Sequence, residues 1–480
     1  MKIKRTTIFC VALVALSLSS CDKWLDIKPA DRIVEENVFD TPAGILSALN
    51  GTYNELLNSE LYGSTLGSEF IEILGQQYNI RTTNVNYTEV SNYAYPADYT
   101  KGRLERTWDA AYKVILNSNK IIENVEKRSS TLPSNIQDIV LGESLAIRAF
   151  VHFDMLRLFG PIYKTSASQK SIPYVDEISV SPAPLLPAEE VIKHIINDLD
   201  RAESYLLKSD PIVNEGPQNT VLEGADNTFR YRTFRFNYYT ILALKARVHL
   251  YAGDKGNALK YAKMIIEDSK RESYFPFIKH TDIAGNFANP DRVFSTEIIT
   301  GLYHSGRNLI FQNYFNPGSA QSANLLIPRA GNIAALFSGE ESDYRYSYLW
   351  QDYDLEVNTL YSLKFRVGET STLYRNSILP LIRLGEVYLI ATESESNEQL
   401  AYAYLNKLRN QRGLPSVTDN LAVRLRNEYV KELYGEGQLF FYYKRTNTAT
   451  IKSGITNANI SMTAARYVPM LPDSENRYRD

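Results

Sequence analysis

Most of the chain follows a helical pattern of apolar positions. Apolar residues recur at three- and four-residue intervals, the spacing that places side chains on one face of an α-helix. The pattern covers residues 45–56, 108–125, 145–156 and 191–206. Thr41 and Pro42 precede the first stretch, and this pair is typical of a helix N-cap followed by the first helical residue. The pattern predicts a mainly α-helical scaffold.

Two later segments each predict a pair of helices joined by a polar turn. They are HLYAGDKGNALKYAKMI, residues 249–265, and YLIATESESNEQLAYAYLNKL, residues 388–408. Small residues in both segments would allow paired helices to approach closely: Ala252, Ala258, Ala262, Ala391, Ala401 and Ala403. This arrangement is typical of tetratricopeptide-like repeats, although the match to their consensus is poor. Chance similarity between two amphipathic hairpins is the alternative.

Two stretches between the helical blocks have a different composition. Residues 76–103 and 273–380 are rich in Tyr, Asn, Ser, Gly and Thr and show no sustained helical period. Loops of this length are usually functional or disordered, and the aromatic content argues against disorder. We therefore expect ligand contacts there, from nine candidates: Tyr78, Asn79, Arg81, Tyr93, Tyr95, Tyr99, Tyr303, Tyr314 and Trp350.

Packing within the protein is the alternative role for each of these nine residues. Trp350 is the strongest candidate because tryptophan offers the largest stacking surface, and because it lies in the tyrosine-rich segment SDYRYSYLWQDYD. A core tryptophan beneath a long loop is the competing interpretation of Trp350.

The N-terminus has the pattern of a lipoprotein signal peptide. Lys2, Lys4 and Arg5 precede an apolar run, IFCVALVALSLS, which is too short to span a membrane. The run ends in LSSC, where the thiol of Cys21 could accept a diacylglyceryl group. We expect cleavage after residue 20 and anchoring through lipid on Cys21, because two acyl chains give stable anchoring. An ordinary secreted protein with a stray cysteine is the alternative.

Composition and motifs argue against several functional classes. The net charge is −3 and the basic residues are scattered, so nucleic acid is not an expected partner. The body of the chain after Cys21 has no cysteine, and its five histidines are dispersed, so no metal site is expected. The chain contains no GxSxG, HExxH or GxxxxGK motif, and no cofactor is expected.

Several blocks of sequence occur in an order that resembles a known family. The first two are CDKWLDIKP, residues 21–29, and LAIRAFVHFDMLRLFGPI, residues 145–162, which contains Arg-Ala-Phe followed by Phe-Gly-Pro. The others are IRLGEVYLIATE from Ile382, LNKLRNQRGL from Leu405 and EYVKELYGEGQLFFYYKR from Glu428. Together these blocks are similar to the SusD/RagB family of nutrient-binding outer-membrane lipoproteins from Bacteroidetes.

One departure from the family pattern occurs in the last block. The family usually has Arg after Glu-Gly-x and Asp three residues later, whereas this chain has Leu439 and Tyr442. Losing both partners of a buried ion pair together is nearly neutral, whereas losing one leaves an unpaired charge. We therefore hypothesise that the two family residues pair with each other.

The resemblance implies a fold and a role. The implied fold is a superhelix of tetratricopeptide-like helix pairs with a loop-rich ligand side. The implied organisation is a signal peptide at 1–20, a lipidated tether at 21–40, a helical region at 41–272, a candidate ligand region at 273–380 and a helical region at 381–480. The implied role is non-catalytic capture of a glycan or other nutrient at the outer membrane, followed by delivery to a SusC-like TonB-dependent transporter.

Two other functions remain open from the sequence. A helical glycan-degrading enzyme would need two carboxylates about 5 to 10 Å apart. Glu69 with Glu72, and Glu393 with Glu395, are the nearest approximations, and a solvated helix face is the alternative interpretation of both pairs. The third function is a scaffold whose helices only hold another protein.

Overall fold

The computed structural model describes residues 38–128, 130–285, 289–319, 322–368, 374–477 and 479. Cys21, the predicted signal peptide and most of the predicted tether lie outside these residues. Within the described ranges, none of the helices is both long and apolar enough to cross a bilayer.

Ten helices of eight or more residues form the scaffold within the described residues. They are α1 (Pro42–Leu56), α2 (Asp98–Lys127), α3 (Ser134–Phe159), α4 (Ala188–Ser209), α5 (Tyr238–Tyr251), α6 (Lys255–Ile266), α7 (Leu384–Ser394), α8 (Glu398–Asn410), α9 (Leu421–Leu433) and α10 (Leu439–Thr446). The Thr41 side chain accepts a hydrogen bond from Gly44 N–H and so caps α1. The mainly α-helical fold expected from the apolar spacing is confirmed.

The helices pack one on the next in chain order, which builds the superhelix. Each of α1 to α7 contacts its successor, and α7 also contacts α9. The hairpins α5–α6 and α7–α8 correspond to the two tetratricopeptide-like segments. They are more than a hundred residues apart in the chain, yet they lie side by side because α6 packs against α7. The predicted helix pairs therefore form one continuous stack.

Buried ion pairs join helices that are distant in sequence. Arg148 on α3 donates two hydrogen bonds of 2.6 Å to Asp198 on α4. Arg247 on α5 binds Glu386 on α7 at 2.6 and 2.7 Å. Removing one partner of such a pair would leave an unpaired charge in the core, which is strongly destabilising.

The region between α6 and α7 is an excursion bounded by two paired strands. Strand β3 (Ile298–Tyr303) is antiparallel to β6 (Ile378–Arg383), and Tyr303 lies opposite Ile378. Three smaller antiparallel pairs are the other strands of the described residues: β1 (Lys170–Pro173) with β2 (Leu185–Pro187), β4 (Trp350–Asp352) with β5 (Leu360–Ser362), and β7 (Thr450–Lys452) with β8 (Asn459–Ser461).

Short helical segments fill much of the rest of this excursion, of the earlier loops and of the segment after α10. The α-helical ones are Phe70–Leu74, Val85–Ser91, Tyr163–Ser166, Ile212–Glu215, Arg271–Tyr274, His280–Ala284, Arg307–Ile310, Asn332–Leu336, Tyr344–Leu349, Ala464–Tyr467 and Asp473–Asn476. Residues 232–234, 295–297, 322–324 and 374–376 form 3₁₀ turns, and residues 311–315 form a π turn.

Residues 76–103 are more helical than the sequence indicates. Val85–Ser91 is a helix, and α2 begins at Asp98, so its first turns fall inside the predicted loop. The apolar period is masked there because charged residues such as Lys101 and Arg103 follow Pro96 closely. Tertiary packing of α2 against α1 and α3 stabilises these turns in spite of their polar sequence.

Candidate functional site

An open cleft of about 560 Å³ lies at one surface of the described structure. One wall is the C-terminal half of α1, and a second is the segment from residue 227 to residue 235. The end of β3 and residues 374–377 close the third side. The lining residues are Asn50, Tyr53, Asn54, Leu57, Asn227, Thr228, Arg230, Tyr231, Phe234, Arg235, Leu302, Tyr303, Tyr374 and Ser377. This volume is ordinary for a small-molecule site.

A buried arginine fixes the segment that forms the second wall. Arg232 donates to Asp210 at 2.8 and 3.0 Å and to Glu143 at 2.7 Å, and all three side chains are buried. The N–H groups of Tyr231 and Arg232 donate to the carbonyls of Gln218 and Pro217. Residues 217–218 and 231–232, at the two ends of this loop, are therefore bound to each other. This positions the side chains that flank Arg232 at the cleft.

Four aromatic rings cluster at the cleft. Phe234 is at the centre, with Tyr303 edge-on to it at 5.4 Å between ring centroids and Tyr374 edge-on at 6.3 Å. The ring of Tyr231 lies 6.2 Å from Phe234. Tyr303 is 57% exposed, so most of its surface is free to contact a ligand. We call Tyr231, Phe234, Tyr303 and Tyr374 the aromatic cluster.

Tyr231 adopts a strained backbone conformation. Its φ angle is +54°, in the left-handed region, which costs a residue with a bulky side chain roughly 1–2 kcal/mol. Strain of this kind persists where the surroundings enforce it, and it is concentrated at functional sites. Here the Arg232 anchor enforces it, and the result is a tyrosine ring presented at the mouth of the cleft.

Planar hydrogen-bonding groups lie beside the aromatic cluster. Arg235 stacks over the ring of Tyr53 at 4.5 Å and donates a hydrogen bond to the amide oxygen of Asn50. Its Nη1 is 3.9 Å from Glu143, beyond hydrogen-bond distance. Arg230 donates to the carbonyl of Thr220 at 2.7 Å and to the amide oxygen of Gln218 at 2.9 Å. None of the lining residues named above is Asp, Glu or Lys.

Two phenols of the cleft, Tyr53 and Tyr374, remain protonated across the physiological range. Burial raises the pKa of Tyr374. Burial also raises the pKa of Tyr53 well above its usual value, and the adjacent Glu143 carboxylate raises it further. These groups therefore act as neutral hydrogen-bonding and stacking surfaces and not as bases.

Family models match both halves of the chain. A model described as "Starch-binding associating with outer membrane" matches residues 23–213, and a model described as "SusD family" matches residues 338–468. Together they cover more than half of the chain, in the order expected for one protein. The chain belongs to the SusD/RagB family.

Relatives and solved structures agree with this assignment. SusD-like protein P2 of Formosa agariphila is 27% identical over 196 residues, which is 40% of this chain and 37% of that protein. SusD-like protein P25 of the same organism is 22% identical over 313 residues, 63% of this chain and 52% of that protein. The matches span about half or less of these relatives' length.

The solved structures share the SusD fold over nearly their whole length. A SusD superfamily protein from Bacteroides thetaiotaomicron has a TM-score of 0.71 at 20% identity and covers 91% of this chain and 98% of its own. A SusD-like carbohydrate binding protein from Bacteroides vulgatus has a TM-score of 0.67 at 20% identity, covering 91% and 96%. A laminarin binding SusD-like protein has a TM-score of 0.64 at 16% identity, covering 92% and 98%.

One of the nine candidates predicted from the sequence lines the cleft of this SusD/RagB protein, and it is Tyr303. Three others are core residues. Tyr78, Tyr93 and Tyr95 are buried, and their hydroxyls donate to Glu72, to the carbonyl of Leu74 and to the carbonyl of Arg466, respectively. A ring surrounded by protein on both faces cannot stack on a ligand, so we remove these three from the candidate site.

Four more candidates lie where the two loop-rich regions meet. Asn79 N–H donates to the carbonyl of Ile327 at 2.8 Å, and exposed Arg81 pairs with Glu356 at 2.8 Å. The half-buried Tyr314 hydroxyl is 2.8 Å from the hydroxyl of Ser64, and the Tyr99 ring, also half-buried, lies 5.9 Å from the Arg103 guanidinium. The structure therefore joins the two predicted regions, at a surface other than the cleft.

Trp350 packs between the main core and a small cluster formed by Ile278, Ile283, Phe294 and Leu349. Its ring is edge-on to Tyr434 at 4.9 Å, and its backbone begins β4. This environment favours the core interpretation of Trp350 over the stacking one.

Three members of the aromatic cluster, Tyr231, Phe234 and Tyr374, are not among the nine candidates predicted from the sequence. Tyr231 and Phe234 follow a polar loop of about twenty residues between α4 and α5, a length that itself indicates function. That loop length is a signal that could have led to them. Tyr374 lies within the predicted region 273–380, but the sequence does not distinguish it from the many other tyrosines there.

Three of the four carboxylates considered for catalysis, Glu69, Glu72 and Glu393, are not on a solvated helix face, contrary to that interpretation. Glu69 and Glu72 are each 2% exposed. Glu69 pairs with Arg103 at 2.6 Å, and Glu72 accepts the Gly437 N–H at 2.7 Å. Glu393, which is half-buried, is bound at both oxygens by Arg445 at 2.7 Å. Each of these three carboxylates is therefore held by protein groups.

Proposed function

We propose that this protein is a cell-surface lipoprotein that binds a glycan in the cleft without cleaving it and delivers it to a TonB-dependent transporter. The aromatic cluster is the observation that carries the proposal. Sugars present a face of C–H groups that packs on aromatic rings, and hydroxyls that pair with planar amide and guanidinium groups. The cleft places both kinds of group side by side.

The lining of the cleft favours binding over hydrolysis. Hydrolysis of a glycosidic bond uses two carboxylates that flank the bond at about 5 to 10 Å. Among the described residues, none that lines the cleft carries a carboxylate, and the nearby Glu143 is occupied by Arg232 and Tyr53. Incubating the purified protein with the bound glycan and finding no new reducing ends supports binding alone.

The membrane and transporter parts of the proposal rest on the family and on the N-terminal sequence. The family model that matches residues 23–213 is described as associating with the outer membrane. The LSSC segment supplies a cysteine for lipidation, although Cys21 lies outside the described residues. Copurification of a TonB-dependent barrel protein with the tagged full-length chain from its own cells tests the partner.

The binding test is a titration with soluble starch and laminarin, followed by a glycan array for other classes. We expect Tyr303→Ala to weaken binding of the best glycan tenfold or more, about 1.4 kcal/mol. Because Tyr303 is mostly exposed, its removal should leave the melting temperature unchanged. Tyr303→Phe keeps the ring and should retain most of the affinity.

Tyr404→Ala is a matched control, since Tyr404 is a half-buried tyrosine on α8, away from the cleft lining. Equal affinities for the wild type, Tyr303→Ala and Tyr404→Ala would remove the cleft as the binding site.

A further inference from the structure

Four arginines gather in the excursion between α6 and α7. Arg292 lies just before β3, Arg307 begins a short helix after β3, Arg366 follows β5, and Arg375 precedes β6. In the part of the chain that the structure describes, none of the four has a carboxylate oxygen within 4 Å. Asp291 is the one acidic group that acts on Arg307.

Arg307 differs from the other buried arginines of the protein. It is 3% exposed. Ten arginines are buried among the described residues, and the other nine each pair with a carboxylate: Arg148, Arg157, Arg232, Arg247, Arg271, Arg345, Arg383, Arg409 and Arg412. Among the buried arginines that the structure describes, Arg307 is therefore the one without an ion pair, and Asp291 acts on its charge only from a distance.

Donor groups in this cluster also lack acceptors. Arg307 uses Nη1 to donate to the carbonyls of Arg375 and Ile378, at 2.8 and 3.0 Å, and Arg375 uses Nη2 to donate to the carbonyl of Asn289 at 2.9 Å. The Nε–H groups of Arg292, Arg307 and Arg375 are buried and find no acceptor in the described structure. A buried donor without an acceptor costs free energy, which an added acceptor would recover.

The charges around the cluster do not balance. Asp291 accepts hydrogen bonds from the N–H and hydroxyl of Ser295, and no hydrogen bond joins it to an arginine of the cluster in the described structure. Burial lowers the pKa of Arg307 to about 10; Asp291 opposes this, while Arg292 and Arg375 lower the pKa further. Burial likewise lowers the pKa of Arg292 to about 10, with a further contribution from Arg366. The positive charges of the arginines therefore repel one another, and the same acidic side chain, Asp291, attracts both Arg307 and Arg375.

We propose that Arg292, Arg307 and Arg375 bind an oxyanion, namely a sulfate, phosphate or carboxylate group. Guanidinium groups are planar forks that match the spacing of oxygen atoms in these anions. A bound anion would supply an acceptor for buried Nε–H groups of the cluster and offset the excess positive charge. Arg366, which is exposed, would lie at the rim of this anion site.

Two sources of such an anion fit the position of the site. Tyr374, which precedes Arg375, and Tyr303, four residues before Arg307, both line the cleft. The anion could be the sulfate or carboxylate of an acidic glycan whose neutral face lies on the aromatic cluster, and this source rests on the proposed function. The other source is a free inorganic anion, which is independent of it.

The first experiment measures thermal unfolding of the whole protein in sodium sulfate and in sodium chloride at equal ionic strength. Sulfate stabilises proteins in general, so the readout is the difference between wild type and variants. We expect Arg375→Gln and Arg307→Met to lose several degrees of the sulfate-dependent rise. Exposed Arg106→Gln, remote from the cluster, should keep the full rise.

The behaviour without sulfate separates this cluster from a structural ion pair. Because Arg375 repels its neighbours in the free protein, Arg375→Gln should melt at or above the wild-type temperature in chloride. Arg232→Met, which breaks a compensated buried pair, should melt lower in both salts. An equal sulfate response in wild type, Arg375→Gln and Arg106→Gln would overturn the proposal.

The counter-charge could also come from the chain itself, and one variant tests this. Glu369 lies outside the described residues and is close in sequence to Arg366 and Arg375. If wild type shows no specific sulfate response and Glu369→Gln creates one, the chain neutralises its own arginines and the proposal is wrong.

Glycan titrations distinguish the two sources of the anion. The probes are chondroitin sulfate and polygalacturonate, with laminarin as a neutral glycan. Loss of acidic-glycan binding in both Arg375→Gln and Tyr303→Ala assigns the anion to the glycan. A sulfate response that survives in Tyr303→Ala, with no acidic-glycan binding, assigns it to a free anion even if the glycan proposal fails.

Discussion

Glu72 offers a test of how burial raises the pKa of a carboxyl group and so makes the stability of this protein depend on pH. Its carboxylate is 2% exposed and accepts hydrogen bonds from the Tyr78 hydroxyl at 3.0 Å and from the N–H groups of Gly435 and Gly437 at 3.2 and 2.7 Å. Burial raises its pKa to about 7, although the hydrogen bonds and Lys364 oppose this. The substitution is Glu72→Gln, which has the shape of the protonated acid and no charge.

The sign of the effect follows from comparing the folded and unfolded chains. The unfolded carboxyl loses its proton near pH 4.5, whereas the folded one keeps it until about pH 7. Below pH 4.5 the group is neutral in both states and contributes no pH dependence. As the pH rises from 4.5 to 7, ionisation favours the unfolded state, so the free energy of unfolding of the wild type falls. Above pH 7 the full cost of burying the charge is present, about 3 kcal/mol.

The assay is urea unfolding of wild type and Glu72→Gln at several pH values from 4 to 8. We expect the stability of the variant relative to wild type to rise by about 3 kcal/mol across this range, most of it between pH 4.5 and 7. Comparing how the free energy of unfolding changes with pH in the two proteins cancels any constant difference in hydrogen bonding. The control is Glu223→Gln at an exposed loop position. Parallel curves for wild type and Glu72→Gln would show that Glu72 does not bind its proton more tightly in the folded protein.

Three further predictions concern packing and anchoring. Trp350→Ala should cost about 3 kcal/mol of stability without weakening glycan binding, because Trp350 packs against Tyr434; unchanged melting with lost affinity would place it in the site instead. Leu439→Arg should destabilise by a few kcal/mol because Leu439 is 1% exposed, and adding Tyr442→Asp should recover part of the loss in a urea melt; a double variant no better than the single one would refute the pairing. Cys21→Ala should abolish palmitate labelling and release the folded protein into the soluble fraction, and persistent labelling would show that Cys21 is not the lipidated residue.

Helices could be predicted from the sequence because their signals are local. The cap at Thr41 and the apolar spacing of 45–56 lie within one segment, and α1 forms there. The stacking of α5–α6 on α7–α8 joins residues more than a hundred positions apart. The repeat-like sequences indicated that each pair would form, but the contact between the pairs depends on the excursion that separates them, and its path has no local signal.

The site could be predicted only in part because exposure is a tertiary property. Tyr78 and Tyr303 lie in regions of similar composition, yet one is 1% exposed and the other 57%. The difference comes from distant partners, since the ring of Tyr78 lies near Phe315 and Tyr434. A count of tyrosines along the chain therefore locates aromatic-rich regions and does not show which rings reach the surface.

Several tyrosines are buried because their hydroxyls donate hydrogen bonds to buried carboxylates. Tyr53 donates to Glu143 and Tyr62 donates to Asp154, each at 2.8 Å and about ninety residues away in the chain, and Tyr174 donates to Asp198. In these buried pairs the phenol satisfies a carboxylate that also binds an arginine, so tyrosine serves there as a core residue that phenylalanine could not replace. Tyr231 and Tyr303 line the cleft instead, and no carboxylate accepts a hydrogen bond from either hydroxyl in the described structure.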